Sequence, residues 1–113
     1  MKIHLVVTDF IFRSQIEVAA KNAGVEIAFI HQPSDVQSED ARMAVVFDLS
    51  TVSVETVKFF REKFPAAEML GFLPHVDGAK RESAEAVGCK VMSRFEFSKN
   101  LPAILRNITS APA

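Results

Sequence analysis

The feature that most restricts the fold is a rhythm of short apolar runs. Ile3 to Val7, Val25 to Ile30, Met43 to Phe47, Met69 to Leu73 and Val91 to Ser93 are each only a few residues long, and most end at a polar or turn-forming residue. Short, largely apolar runs of this length suit strands covered on both faces, as in a parallel sheet. Helical spacing fills the gaps between them. Phe12, Ile16, Ala19, Ala20 and Ala23 predict a helix from Phe10 to Ala23, with Gly24 placed to end it. Ser53 is placed to cap a helix carrying Val54, Val57, Phe60 and Phe64, which Pro65 stops. Asp77 caps a further helix from Gly78 to Val87, ended by Gly88. Leu101, Ile104, Leu105 and Ile108 mark a last helix that tolerates Pro102 in its first turn. Between the second and third strands, Ser34 is expected to cap a short helix running to about Arg42. The stretch Arg94 to Phe97 reads as the alternating end of the fifth strand.

Strand followed by helix, five times over, predicts a parallel sheet with helices on both faces. Right-handed crossovers prune the topologies. Five strands suit the open order 2-1-3-4-5, a flavodoxin-like doubly wound (βα)5 three-layer sandwich, better than a closed eight-stranded barrel. The 113 residues make one domain, expected over 1–109, with 110–113 as a frayed tail.

Composition narrows the partners. Hydrophobic residues make up 49% and charged residues 24%, a globular balance. Net charge is −1 and the pI about 6.3. Lys and Arg form no basic stripe, so no nucleic-acid partner is expected. Lys58, Arg61, Glu62 and Lys63 read as a solvated helix face. The single cysteine, Cys89, excludes an intrachain disulfide. The start MKIHLVVTDF is too short and polar for a leader and reads as a strand. No apolar run is long enough to span a membrane, and a cytosolic location is expected.

In an open parallel sheet, ligands bind beyond the carboxyl ends of the strands. That rule gathers Thr8, Asp9 and Phe10 from the first strand, Asp48 and Ser50 from the third, Phe72 and His75 from the fourth, and Arg94 and Phe95 from the fifth. Asp9, Asp48 and Arg94 should share this edge. A carboxylate pair needs a cation or a hard metal to relieve its repulsion. The plainer alternative is that both aspartates cap the helices after them. Arg13 and His75 are placed to line a small-anion site with Arg94, helped by the start of the first helix; alternatively Arg13 pairs with Asp9 or Glu17. No glycine-rich loop follows the first strand, so the P-loop and the dinucleotide fingerprint are absent. No nucleophile elbow can be found. His4, His31, His75 and Cys89 lack zinc spacing, and Cys89 reads as an inert thiol. A catalytic role is not expected.

Three segments carry a likeness. KIHLVVTD, VVFDLS and GCKVMSRFEF together resemble the response-regulator receiver family, in element order over nearly the whole chain. The resemblance implies that Asp48 stands where the phosphoacceptor would be, and Asp9 on one of two acids that hold Mg²⁺. It also implies four departures. Thr8 replaces the other acid and is a poorer ligand for a hard cation. Arg94 replaces a lysine, keeping charge but not the compact ammonium. Phe95 replaces a proline. No Ser or Thr occurs between Ala66 and Glu82, and Phe72 lies near the place of the hydroxyl that follows the phosphoryl group. Mg²⁺ on Asp9 and Asp48 would then be weakly held, with no other cofactor.

The expectation is a stand-alone receiver-like signalling module of bacterial type that acts by protein–protein contact rather than full phosphorylation switching. By the same likeness, the partner or a second copy would dock on the face of the fourth helix, fifth strand and last helix, near Phe95, Phe97 and Leu101. Phe10 and Phe12, which flank Ile11, add aromatic surface; alternatively such side chains finish the core. Two other readings stay open: a working phosphoacceptor receiver with Asp48 modified, and a small-anion sensor or enzyme.

Overall fold

The computed structural model describes residues 2–37, 43–75 and 78–110. Five strands, β1 (Lys2–Val6), β2 (Glu26–Phe29), β3 (Ala44–Asp48), β4 (Glu68–Leu73) and β5 (Cys89–Ser93), form one sheet. All are parallel, in the order β2-β1-β3-β4-β5. The helices are α1 (Phe10–Ala23), α2 (Val54–Lys63), α3 (Ala79–Ala86), α4 (Arg94–Lys99) and α5 (Leu101–Ser110). This is the flavodoxin-like α/β three-layer arrangement that the strand–helix rhythm predicts. Among the described residues no helix is long and apolar enough to cross a membrane.

Strand alternation sorts the core into two layers. Val45, Phe47, Met69, Leu73 and Val91 meet Val57 and Phe60 of α2 and Ala84 of α3. Ile3, Leu5, Ala44, Val46, Leu70 and Phe72 meet α1, Phe97 of α4 and Leu105 of α5. Every residue of β3 is buried, as a central parallel strand requires. Gly71 in β4 is a matter of close approach. A Cβ there would lie 2.5 Å from Leu49 Cδ1 and 3.2 Å from Cys89 Sγ.

The helix ends follow their signals. Asp9 caps α1, and Gly24 ends it at φ 70° with its amide donating to Ala20 and Lys21. Ser53 caps α2 by accepting from the Thr56 amide. Three local expectations need correction. The helix expected from Ser34 is a single 3-10 turn, Pro33–Asp35, preceded by Gln32; the backbone is already extended at Val36. Asp35 folds back to accept the His31 and Gln32 amides, a side-chain bond that competes with helix propagation. The rest of that segment, 38–42, lies outside the described residues, as do Asp77 and 111–113 of the expected tail; Ser110 belongs to α5. Arg94 to Phe97 is helix rather than strand, because Ser93 caps it by accepting from the Glu96 amide.

The third correction concerns Arg61, expected on a solvated face. Its guanidinium donates to the carbonyls of Val87, Pro65, Ala67 and Gly88 at 2.8–3.2 Å. It thereby ties the end of α2 to the entry of β4 and to the turn before β5. Charge-assisted bonds of this kind are the stronger ones. Arg61→Met keeps the stem but orphans those carbonyls and should cost about 2–3 kcal/mol in urea unfolding. A loss under about 0.5 kcal/mol, the level of an ordinary surface change, would show that the four bonds do not hold the junction.

Candidate functional site

The carboxyl edge of the sheet is furnished by strand ends and by the first turns of α1 and α4, which lie on the same face. Asp9 follows β1 and caps α1. Its Oδ1 accepts from the Ile11 and Phe12 amides at 3.0 and 3.1 Å. Its Oδ2 accepts from Arg94 Nη2 at 3.1 Å. Arg94 opens α4, and its guanidinium lies 4.6 Å from the centre of the Phe12 ring. A cation held by a carboxylate on one side and a ring face on another is fixed in orientation. The Phe12 amide is the main influence holding the Asp9 carboxyl below its usual value, and Arg94 adds to it.

Phe12 continues the link inward. It packs edge-on against Phe72 at 5.2 Å and Phe97 at 5.8 Å, and those two rings stack at 4.5 Å. Phe72 and Phe97 are fully buried. Thus the end of β4 is covered by a packed aromatic trio.

Asp48 is only 2% exposed. Its Oδ1 accepts from both the amide and the hydroxyl of Ser50. Its carbonyl accepts from the Thr51 and Val52 amides. Asp48 therefore builds the turn leaving β3, and the alternative that it caps the next helix gives way to the expected cap, Ser53. Arg94 lies at the same edge but pairs with Asp9; among the described residues Asp48 forms no ion pair.

This donor set does not suit Mg²⁺. Asp9 spends one oxygen on two amides and the other on Arg94, Asp48 spends an oxygen on Ser50, and Thr8 is exposed and neutral. A hard cation wants several charged oxygens free to converge. Among the described residues no three His, Cys, Asp or Glu side chains do so.

Arg13, expected to line an anion site with His75 and Arg94, turns toward β2. The Arg13 guanidinium lies 4.3 Å from the ring centre of Phe29, the last residue of β2, and 5.7 Å from that of Phe10. Among the described residues it pairs with neither Asp9 nor Glu17. His75 is exposed beyond β4. Burial pushes the Cys89 thiol up to about 12, so little thiolate exists at neutral pH.

The expected docking residues are redistributed. Phe97 and Leu101 are core, 0% and 4% exposed, because helical rather than strand periodicity governs this stretch. Phe95 stays outside at 73%. Its companions are Phe10 and Ile11, exposed at 79% and 75%, one and two residues beyond Asp9. The Asp9–Arg94 bond joins the first turns of α1 and α4, which carry these three exposed side chains. Strand-type alternation obscures this grouping; the Ser93-x-x-Glu96 spacing, a helix-start signature, would have revealed it. No family model, curated protein or solved structure matches the chain.

Carboxyl-resolved NMR should give Asp9 a titration midpoint below 3.8, the ordinary value. In Arg94→Gln the midpoint should rise only part of the way, because the Phe12 amide still donates. A lowered folded value means that Asp9 stabilises the fold fully above 3.8 and loses that effect as pH falls through the folded midpoint. A wild-type midpoint at or above 3.8, or one indifferent to Arg94, would contradict the geometry.

Proposed function

We propose that the chain is an atypical receiver-like module that docks onto a protein partner without a phosphoryl switch. The observation that carries this reading is the engagement of the groups a switch would need. Asp9 is held by α1 and Arg94, and Phe72 is sealed between Phe12 and Phe97. A switch requires two arrangements of one element with a small free-energy gap. Close-packed rings at the signalling position favour one arrangement.

The docking surface is the rim of Phe10, Ile11 and Phe95. Large apolar side chains exposed together mark interaction sites. Lysine and arginine border them: the Lys99 ammonium lies 5.9 Å from the Phe95 ring centre, and Arg13 stands by Phe10. The complementary partner offers apolar anchors with acidic groups around them. A second copy of the chain is the competing occupant, and solution mass decides between them.

Incubation with acetyl phosphate and Mg²⁺, followed by intact mass measurement, should leave the protein unmodified. An adduct that disappears in Asp48→Asn would overturn the switch-free reading. The rim has its own readout. Phe10→Ser and Phe95→Ser should each alter unfolding free energy by less than about 0.5 kcal/mol, as exposed positions do, while lowering the binding of a fluorescent apolar dye. Unchanged dye binding in the double variant would remove the rim as the apolar surface.

A further inference from the structure

The face that carries α1 is covered unevenly. α5 packs on α1 and leans on β1, while α4 sits over the carboxyl ends of β4 and β5. The amino-terminal halves of β4 and β5 therefore lie open beside the last turns of α5. The result is a cleft of about 360 Å³, within the size range of small-molecule sites, roughly 300–1,000 Å³. It is at the opposite end of the sheet from Asp9 and Arg94, and it is independent of the docking reading.

Leu70 and Met92 floor the cleft, and Ile104 and Ile108 of α5 wall it. Met92, Ile104 and Ile108 pack on the core from one side and stay partly uncovered on the other. Three polar side chains border this apolar surface: Glu68, Lys90 and Asn107. Lys90 lies opposite Leu70 on the neighbouring strand, so Glu68 is its diagonal neighbour on the same face. Strand spacing of about 4.8 Å and a two-residue rise of about 6.6 Å separate their Cβ atoms by about 8 Å. Among the described residues neither charge takes an ion-pair partner. An anionic and a cationic group thus flank an apolar floor at a spacing that a small zwitterion can bridge.

We propose that this cleft binds a free α-amino acid with an apolar side chain. Its ammonium group pairs with Glu68 and its carboxylate with Lys90. The Asn107 amide, which can donate and accept, adds a bond to the same head group. The side chain lies on Leu70 and Met92 against Ile104 and Ile108. Charge complementarity selects this class. A simple carboxylic acid satisfies Lys90 but is repelled by Glu68, and a simple amine meets the reverse problem. Glycine has both charges but leaves the apolar floor exposed to water.

Methyl and amide NMR titrations of the whole chain test this with five probes: L-leucine, L-phenylalanine, isocaproate, isoamylamine and glycine. Leucine or phenylalanine should give saturable shifts at Lys90, Met92, Ile104 and Ile108. The other three should bind at least about tenfold more weakly, as expected for a lost charge-assisted bond or lost apolar contact. Glu68→Gln and Lys90→Gln, both at exposed positions, should each weaken leucine by about tenfold and leave the remaining spectrum unchanged. No saturable shift with either apolar amino acid would overturn the proposal. So would isocaproate binding as tightly as leucine, or leucine binding that ignores both substitutions.

Discussion

Everything in this molecule depends on the central strands being buried on both faces. β3 has no exposed residue, and β4 is buried from Met69 to Leu73. A parallel strand in that position cannot be returned by a hairpin; the chain must cross a face of the sheet each time. Right-handed crossings then divide the helices between the two sides. Val45 and Phe47 face α2 and α3, while Ala44 and Val46 face α1 and α5. With both faces consumed by packing, polar chemistry is pushed to the strand ends and to parts of the sheet that the helices fail to cover.

At the carboxyl end this has a specific consequence. α1 and α4 start on the same side, so the residue before one helix and the first residue of the other meet as Asp9 and Arg94. The bond is half-exposed and gives orientation more than stability. Beneath this link, packing dominates. Phe12, Phe72 and Phe97 occupy the space between the first turns and the sheet, and aromatic contacts of this kind add to the area they bury. Phe10, Ile11 and Phe95 stay exposed on the first turns of α1 and α4. At the other end of the sheet, the same economy of helices leaves β4 and β5 partly bare beside α5.

Much of this was legible in the sequence. The apolar runs located all five strands, because strands covered by helices on both faces carry few polar residues. Gly24 and Pro65 marked helix ends through backbone constraints that act locally. The order of strands followed from topology rules and is as observed. What escaped depended on competition between local signals. Ser34 looked like a cap, but Asp35 bonded backward to His31 and Gln32. Phe95 and Phe97 alternate, but Ser93 bonded forward to Glu96 and turned the alternation into helix. Arg61 looked like one more surface charge, because two of the four carbonyls it collects lie 26 and 27 residues further along the chain. The site was half-legible for the same reason. The sequence brought Asp9, Asp48 and Arg94 to one edge, yet only side-chain reach decides that Arg94 takes Asp9 and that Asp48 turns to Ser50.

On the proposed function the carboxyl edge has one arrangement, fixed by Asp9–Arg94 and by the three rings under it. An amide NMR spectrum recorded before and after adding Mg²⁺ with beryllofluoride, the stable mimic of phosphoaspartate, tests it most directly. No shift is expected at Asp9, Asp48, Phe72 or Arg94. Shifts that begin at Asp48 and spread through Phe72 to Arg94 and α4 would contradict it, because they would require the ring cluster to possess a second packing.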